Sequence, residues 1–300
     1  VSNDDAVRNP AVGGEESLPA IDGYIVTTRL GGGAMGDVYL ARNGTDTAVI
    51  KILRADLADQ PMKRASLAGE AVALASAPLG SAPRLIGSNL EVDPPYLVLE
   101  YLVGETLTQR IASGGPLSGE ELLAFAVGLV RSLAALHRVG IVHRDVKPDN
   151  IMVSDGAQPC FIDFGLSDSG GTIREVPSGA LWGSPLWMAQ EQVMGAAPGP
   201  WTDVHGWALA VLFAAKGVAE FDAPSTPAML YRVVHVEAEV PGDLDEPLSS
   251  ALRASLSKLS ADRPSADSLV ARLTAEPHET IEPRSDSNPP AAERQERRAN

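Results

Sequence analysis

Apolar positions along the chain change their spacing once. Between Ile21 and Leu102 they come in short strand-like runs: Tyr24-Ile25-Val26, Val38-Tyr39-Leu40, Ala48 to Leu53, Arg84-Leu85-Ile86 and Tyr96 to Leu99, divided by Gly, Asn and Pro. One helix interrupts them over about Met62 to Ala77, where Leu67, Ala71, Leu74 and Ala75 recur at helical spacing and Glu70 shares their stripe. A carboxylate on an inward stripe needs a partner. After Gly104 the pattern turns mostly helical. Ser118-Gly119-Glu120-Glu121 reads as a capping box opening a helix with Leu122, Ala126, Leu129, Val130, Leu133 and Leu136 on one face. Asp203 to Ala215 is apolar nearly all round, the pattern of a helix buried at a domain's centre. These patterns predict an α+β chain: a small β-rich lobe with one helix, residues 21–102, on a larger mostly α-helical lobe, residues 103–275. Residues 1–20 and 276–300, rich in Pro, Ser, Asn and charge without periodicity, read as disordered tails.

Composition narrows the function. Three hundred residues, 44% hydrophobic and 21% charged, suffice for a core without staples. A single cysteine, Cys160, excludes an internal disulfide and a cysteine-rich zinc site, and it reads as a buried strand residue in a reducing compartment. The longest apolar run, Trp207 to Ala215, is half a bilayer crossing, so no membrane span is expected within this chain. The expected location is the cytoplasm, as a free chain or as the cytoplasmic domain of a longer membrane-anchored one. A net charge of -15 repels phosphate backbones and argues against nucleic acid as a partner. Lysine is scarce, at 51, 63, 147, 216 and 258 only, so each position is informative.

Three motifs carry chemistry. Leu30-Gly31-Gly32-Gly33-Ala34-Met35-Gly36-Asp37-Val38 fits G-x-G-x-x-G-x-V, with Gly31, Gly33 and Gly36 where a backbone could approach a polyphosphate. A strand follows it rather than a helix, so the loop reads as a hairpin lid and not as a dinucleotide-binding turn. Fifteen residues past Gly36, Lys51 interrupts an apolar strand, and Glu70 on the next helix supplies a counter-charge that would fix the ammonium against the α- and β-phosphates. His143-Arg144-Asp145-Val146-Lys147-Pro148-Asp149-Asn150 has the form H-R-D-x-K-x-x-N. Asp145 can accept a hydroxyl proton, Lys147 can neutralise a γ-phosphate, and Asn150 can offer a carbonyl oxygen to Mg²⁺. Eighteen residues after Asp145 stands Asp163-Phe164-Gly165, whose carboxylate with Asn150 makes a hard-oxygen pair for that metal.

These residues together resemble the protein kinase family, and specifically the eukaryotic-like bacterial serine/threonine kinases, over about Ile21 to Leu273. The segment Ile52 to Ala58 after Lys51 is similar to theirs, as is the interval from Lys51 to Glu70. The resemblance implies a bilobal fold with an antiparallel N-terminal sheet, and ATP with Mg²⁺, or Mn²⁺ in its place, as cofactors. It implies Leu99 as gatekeeper, Glu100 to Leu102 as the adenine-binding hinge, and Val38, Val49, Met152 and Ile162 as the apolar walls of that pocket. It further implies a substrate-facing Gly183-Ser184, a buried Glu191–Arg263 ion pair, and Asp203 bracing the catalytic loop. The implied partners are proteins bearing Ser or Thr, with self-association for autophosphorylation.

Departures from the family pattern are few. Val49 stands where Ala is usual, Ala189-Gln190-Glu191 lacks the central Pro, and Asp168 replaces an Arg that would hold a phosphate. Arg144 still allows activation by phosphorylation at Ser178 or Thr172. The expected activity is transfer of the γ-phosphoryl of ATP to Ser or Thr. A pseudokinase scaffold that binds nucleotide without turnover and a small-molecule phosphotransferase of the same fold are the alternatives. Intact Lys51, Asp145, Asn150 and Asp163 argue against the first, and Lys147 with the 28-residue span from Asp163 to Glu191 against the second.

Overall fold

A computed structural model describes residues 18–33, 35–154, 158–164 and 185–275. Three strands open the chain, β1 (Ile25–Gly32), β2 (Gly36–Asn43) and β3 (Asp46–Leu53), followed by a single turn of helix, α1 (Ala55–Ala58), and the longer α2 (Pro61–Ser76). β4 (Leu85–Asn89) and β5 (Tyr96–Glu100) complete an antiparallel sheet of order β1-β2-β3-β5-β4. Strand alternation gives that sheet two faces. Ala48, Ile50 and Ile52 of β3 join Val26, Ala41 and Val98 in a small outer core, whereas Leu53 and the neighbouring Leu97 and Leu99 belong to the main core. Lys51 shares the inner face with Leu53.

The chain then runs through β6 (Glu105–Thr106), α3 (Leu107–Gly114), α4 (Gly119–Arg138), β7 (Ile151–Val153) and β8 (Cys160–Phe161). After α5 (Gln190–Val193) come α6 (Pro200–Lys216), α7 (Thr226–His235), α8 (Leu248–Ser255) and α9 (Ala266–Thr274). The result is bilobal, a β-rich N-lobe with one long helix above a larger helical C-lobe. In α6, Trp207 and its neighbours through Leu212 are buried, and Trp207 Nε1 donates to Ala126 O on α4 (3.1 Å). The apolar pattern of α6 thus marks the centre of the C-lobe, as expected from its sequence.

Three local expectations differ. Ser118 precedes α4, but its hydroxyl makes no cap bond. Gly119 adopts φ +52°, outside helical geometry, and the Glu121 carboxylate, which in a box would accept the Ser118 N–H, accepts from Arg110 Nη2 (2.7 Å) instead. On α2, Leu67, Glu70, Ala71 and Leu74 are buried while Ala75 is exposed. On a 3.6-residue helix Ala75 lies about 80° from Leu67, against about 20° for Leu74. The C-lobe also carries a small sheet, β6-β7-β8, of strands too short to show alternation in sequence.

Candidate active site

The inner face of the N-lobe sheet sets the roof of a cleft. Val38 on β2, Lys51 on β3 and Leu97 on β5 are register partners, and Val49 faces Leu99 in the same way. Residues directly opposite in an antiparallel pair share a face, so the lysine and these apolar side chains line one surface. Lys51 is 9% exposed and Glu70 on α2 is 3% exposed. The Lys51 ammonium donates to Glu70 Oε1 and Oε2 (2.7 and 2.9 Å) and to Asp163 Oδ1 (2.8 Å). Burial alone would lower the Lys51 pKa, but the two carboxylates raise it above its ordinary value. For Asp163 burial pushes upward and Lys51 outweighs it, holding the carboxyl below its usual range.

The floor is the loop from His143 to Asn150. Asp203, 1% exposed on α6, accepts the His143 and Arg144 backbone N–H groups (2.7 Å each), and His137 Nε2 lies 2.9 Å from the same carboxylate. Gly206, one turn further along α6, lets the helix approach Val146, where any Cβ would clash. The loop so held puts Arg144 at φ +70°, and Asp163 lies at φ +57°. Both are uncommon for residues with a side chain and persist only where surroundings dictate them. His143 is buried between Phe161 and Phe164, with ring centroids 5.1 Å away on each side. Burial keeps its pKa below the ordinary histidine value.

Asp145 is oriented through one oxygen. Its Oδ2 accepts from Lys147 Nζ (2.6 Å) and Asn150 Nδ2 (2.9 Å), and Oδ1 has no partner among the described residues. Asn150 Nδ2 also donates to Asp145 O (3.0 Å), which leaves the Asn150 side-chain oxygen outside these bonds. Ile162 N donates to Asn150 O (2.9 Å), tying the chain just before Asp163 to the same loop. A side-chain carbonyl and a carboxylate 46% open on its side chain are the hard oxygen donors that Mg²⁺ favours, so these residues fit that metal.

The remaining expected positions surround this centre. Leu30, Gly31 and Gly33 lie on the exposed β1–β2 hairpin, where a Cβ at Gly31 or Gly33 would meet nothing within 4 Å. Gly36 is different: a Cβ there would collide with Ile52 O on β3, so this glycine answers to the fold. Leu99 is buried, Glu100 N donates to Arg84 O (2.9 Å) while Arg84 N donates to Glu100 Oε2 (3.2 Å), and the backbone of Leu102 makes no hydrogen bond among the described residues. Met152 on β7 and Ile162 after β8 are half-buried. Cys160 is buried on β8, and burial pushes its thiol up to about 11, which suits a packing role.

In the C-lobe Arg263 donates to Glu191 Oε1 and Oε2 (2.7 and 2.9 Å), and Thr202 Oγ1 donates to Glu191 Oε1 (3.0 Å). Sequence reasoning missed Thr202 and Gln192, whose Nε2 donates to Arg144 O (3.3 Å) and so joins α5 to the loop from His143 to Asn150. Neither residue stands out from surface polar positions in sequence. Gly165, Asp168, Thr172, Ser178, Gly183 and Ser184 lie outside the described residues.

Comparison with known proteins agrees with this geometry. The family described as protein kinase domain matches residues 24–273. The chain belongs to the protein kinase family. It is 33% identical over 255 residues to the probable serine/threonine-protein kinase PkwA of Thermomonospora curvata, covering 84% of this chain and 34% of that relative. Serine/threonine-protein kinase PknK of Mycobacterium tuberculosis is 30% identical over 249 residues, 81% of this chain and 22% of PknK. Serine/threonine-protein kinase PrkC of Bacillus subtilis is 30% identical over 220 residues, 73% of this chain and 34% of PrkC. The kinase domain described above thus spans about a third or less of each relative's length. Among the described residues no helix is long and apolar enough to cross a membrane.

Proposed function

We propose that this chain transfers the γ-phosphoryl group of ATP to serine or threonine hydroxyls of proteins, including its own activation segment. The observation that carries the reading is the Asp145 carboxylate, held through Oδ2 by Lys147 and Asn150 with Oδ1 free of partners among the described residues, while the charge of the same Lys147 also acts on Asp163. In the proposed reaction Asp145 Oδ1 accepts the proton of the attacking hydroxyl. The new bond forms between the oxygen of the serine or threonine hydroxyl and the γ-phosphorus as the bond to the β–γ bridging oxygen breaks, leaving ADP. Lys147 sits against the carboxylate and offers positive charge where the transferred group gains negative charge. Lys51, fixed by Glu70, positions the α- and β-phosphates. The hinge from Glu100 to Leu102 offers backbone groups to adenine, between walls supplied by Val38, Val49, Met152 and Ile162. Asn150 and Asp163 would hold Mg²⁺, which supplies charge neutralisation at the phosphates when bound.

Arg144 supports the autophosphorylation part of the reading. Its Nε is buried with no partner among the described residues, and it lies on the loop that α5 reaches through Gln192, so an anionic group near it would be stabilised. Incubation with Mg-ATP followed by phosphosite mapping tests the proposal. Phosphoserine or phosphothreonine on the chain and on a generic basic protein is the expected result. Thermal stabilisation by Mg-ATP with no turnover would instead favour a nucleotide-binding scaffold.

A further inference from the structure

On the face of the N-lobe sheet opposite Lys51, the segment 19–22 and the turn between β4 and β5 enclose a cavity of about 280 Å³. Ile21, Ile52, Val92 and Tyr96 give it apolar walls, and two carboxylates, Asp22 and Asp93, stand at its lining with no basic side chain among the lining residues. Asp93 Oδ1 accepts from Arg64 Nη2 (3.0 Å), whereas Asp22 makes no hydrogen bond or ion pair among the described residues. Both aspartates are exposed, so apolar walls below carboxylates at the rim favour a cation carried on an apolar body. The net charge of -15 makes anions poor candidates for the same space.

The cavity is mechanically joined to the nucleotide cleft. Ile52 directly follows Lys51 on β3 and is the register partner of Tyr96, so two of its walls belong to the strands that position the lysine. Arg64 makes a second link. It sits on α2, six residues before Glu70, and clamps that helix to the β4–β5 turn through Leu90 O and Val92 O (3.1 Å each) as well as Asp93. Its Nε donates to Ala58 O (2.6 Å) at the end of α1. A ligand that reaches Asp93 therefore shares a carboxylate with the clamp on the helix that carries Glu70.

We propose that this cavity is a regulatory site for a small organic cation, an ammonium group on an aromatic or alkyl body, whose binding loosens the Arg64 clamp on α2. The proposal goes beyond the phosphotransfer reading and does not depend on it, because neither of its readouts requires ATP.

Calorimetric titration of the full chain with 2-phenylethylamine, 2-phenylethanol and 3-phenylpropanoate separates the contributions of charge and body. The ammonium should bind about threefold or more tightly than the alcohol, and the carboxylate should not bind. Asp22→Asn should bring the amine down to the affinity of the alcohol, and Ala20→Trp, which fills the lining, should abolish both. Hydrogen exchange reads the relay: saturating amine should speed exchange of the α2 amides around Glu70, and Arg64→Gln should bind the amine without that response. Absence of binding, equal affinity for the three probes, or an amine affinity unmoved by Asp22→Asn would overturn the site. Amine binding with α2 exchange unchanged would overturn the relay. Failure of phosphotransfer, in contrast, leaves these titrations intact and bears only on the function proposed above.

Discussion

One ammonium answering two carboxylates makes the partners of Lys51 unequal. Glu70 is nearly fully buried and is pushed upward in pKa by that burial against the opposing pull of Lys51, whereas Asp163 reaches the cleft opening. Glu70→Ala removes the buried partner and leaves Lys51 with Asp163 alone. Breaking a buried pair from one side costs about 3 kcal/mol, at the low end of the usual range because a second anion remains. Urea unfolding should show that loss, and the KM for ATP should rise as Lys51 turns fully toward Asp163. Unchanged stability in Glu70→Ala would mean that the pair contributes nothing. The pairing of Lys51 with Glu70 was legible in sequence because both residue types are out of place on apolar elements. Its third member was not: Asp163 is 112 positions from Lys51, and only the fold brings them together.

At the scale of elements, helix α4 shows where local pattern misleads. A Ser-x-x-Glu tetrad promises a capping box, but Gly119 at φ +52° and the Glu121–Arg110 contact redirect both side chains. A reciprocal box does form ahead of α3, where Thr106 Oγ1 accepts from Gln109 N (3.3 Å) and Gln109 Oε1 accepts from Thr106 N (2.9 Å). Ser118→Ala should therefore change stability by less than about 0.5 kcal/mol, and Thr106→Ala should cost about 1 kcal/mol. Denaturant midpoints of the two variants check this, and the reverse order would contradict the geometry. Helix α6 was legible because its apolar residues surround it. The strands β6, β7 and β8 were not, since two or three residues cannot display a period of two.

For the whole molecule, two buried histidines set a pH limit on stability. His143 is held below its ordinary pKa by burial, against the pull of Asp203, Asp145 and Asp163, and His205 is held well below it by burial together with Arg263 and Lys258. The unfolded chain protonates these imidazoles near about pH 6.5, whereas the folded chain resists until lower pH. Between those points the unfolded state binds more protons, so the stability present above that pH is lost on acidification, by at most about 1.4 kcal/mol per pH unit for each histidine. Unfolding in urea at pH 7.5 and 5.5 should show the decline, and a flat profile would contradict the burial of both rings in neutral form. The bilobal plan followed from one change in apolar spacing near Gly104. The relation of cleft to lobes did not, because it depends on contacts such as Asp203 with the backbone at 143 and 144, which span about sixty residues of sequence.

The central claim is that Asp145 takes the proton of the acceptor hydroxyl in a cleft already assembled by Lys51, Asn150 and Asp163. The most direct measurement compares single-turnover phosphoryl transfer by the native chain and by Asp145→Asn, with Mg-ATP affinity measured on both. The account predicts a transfer rate lower by about 10²-fold or more with nucleotide affinity nearly unchanged. Transfer at the native rate by Asp145→Asn would contradict it.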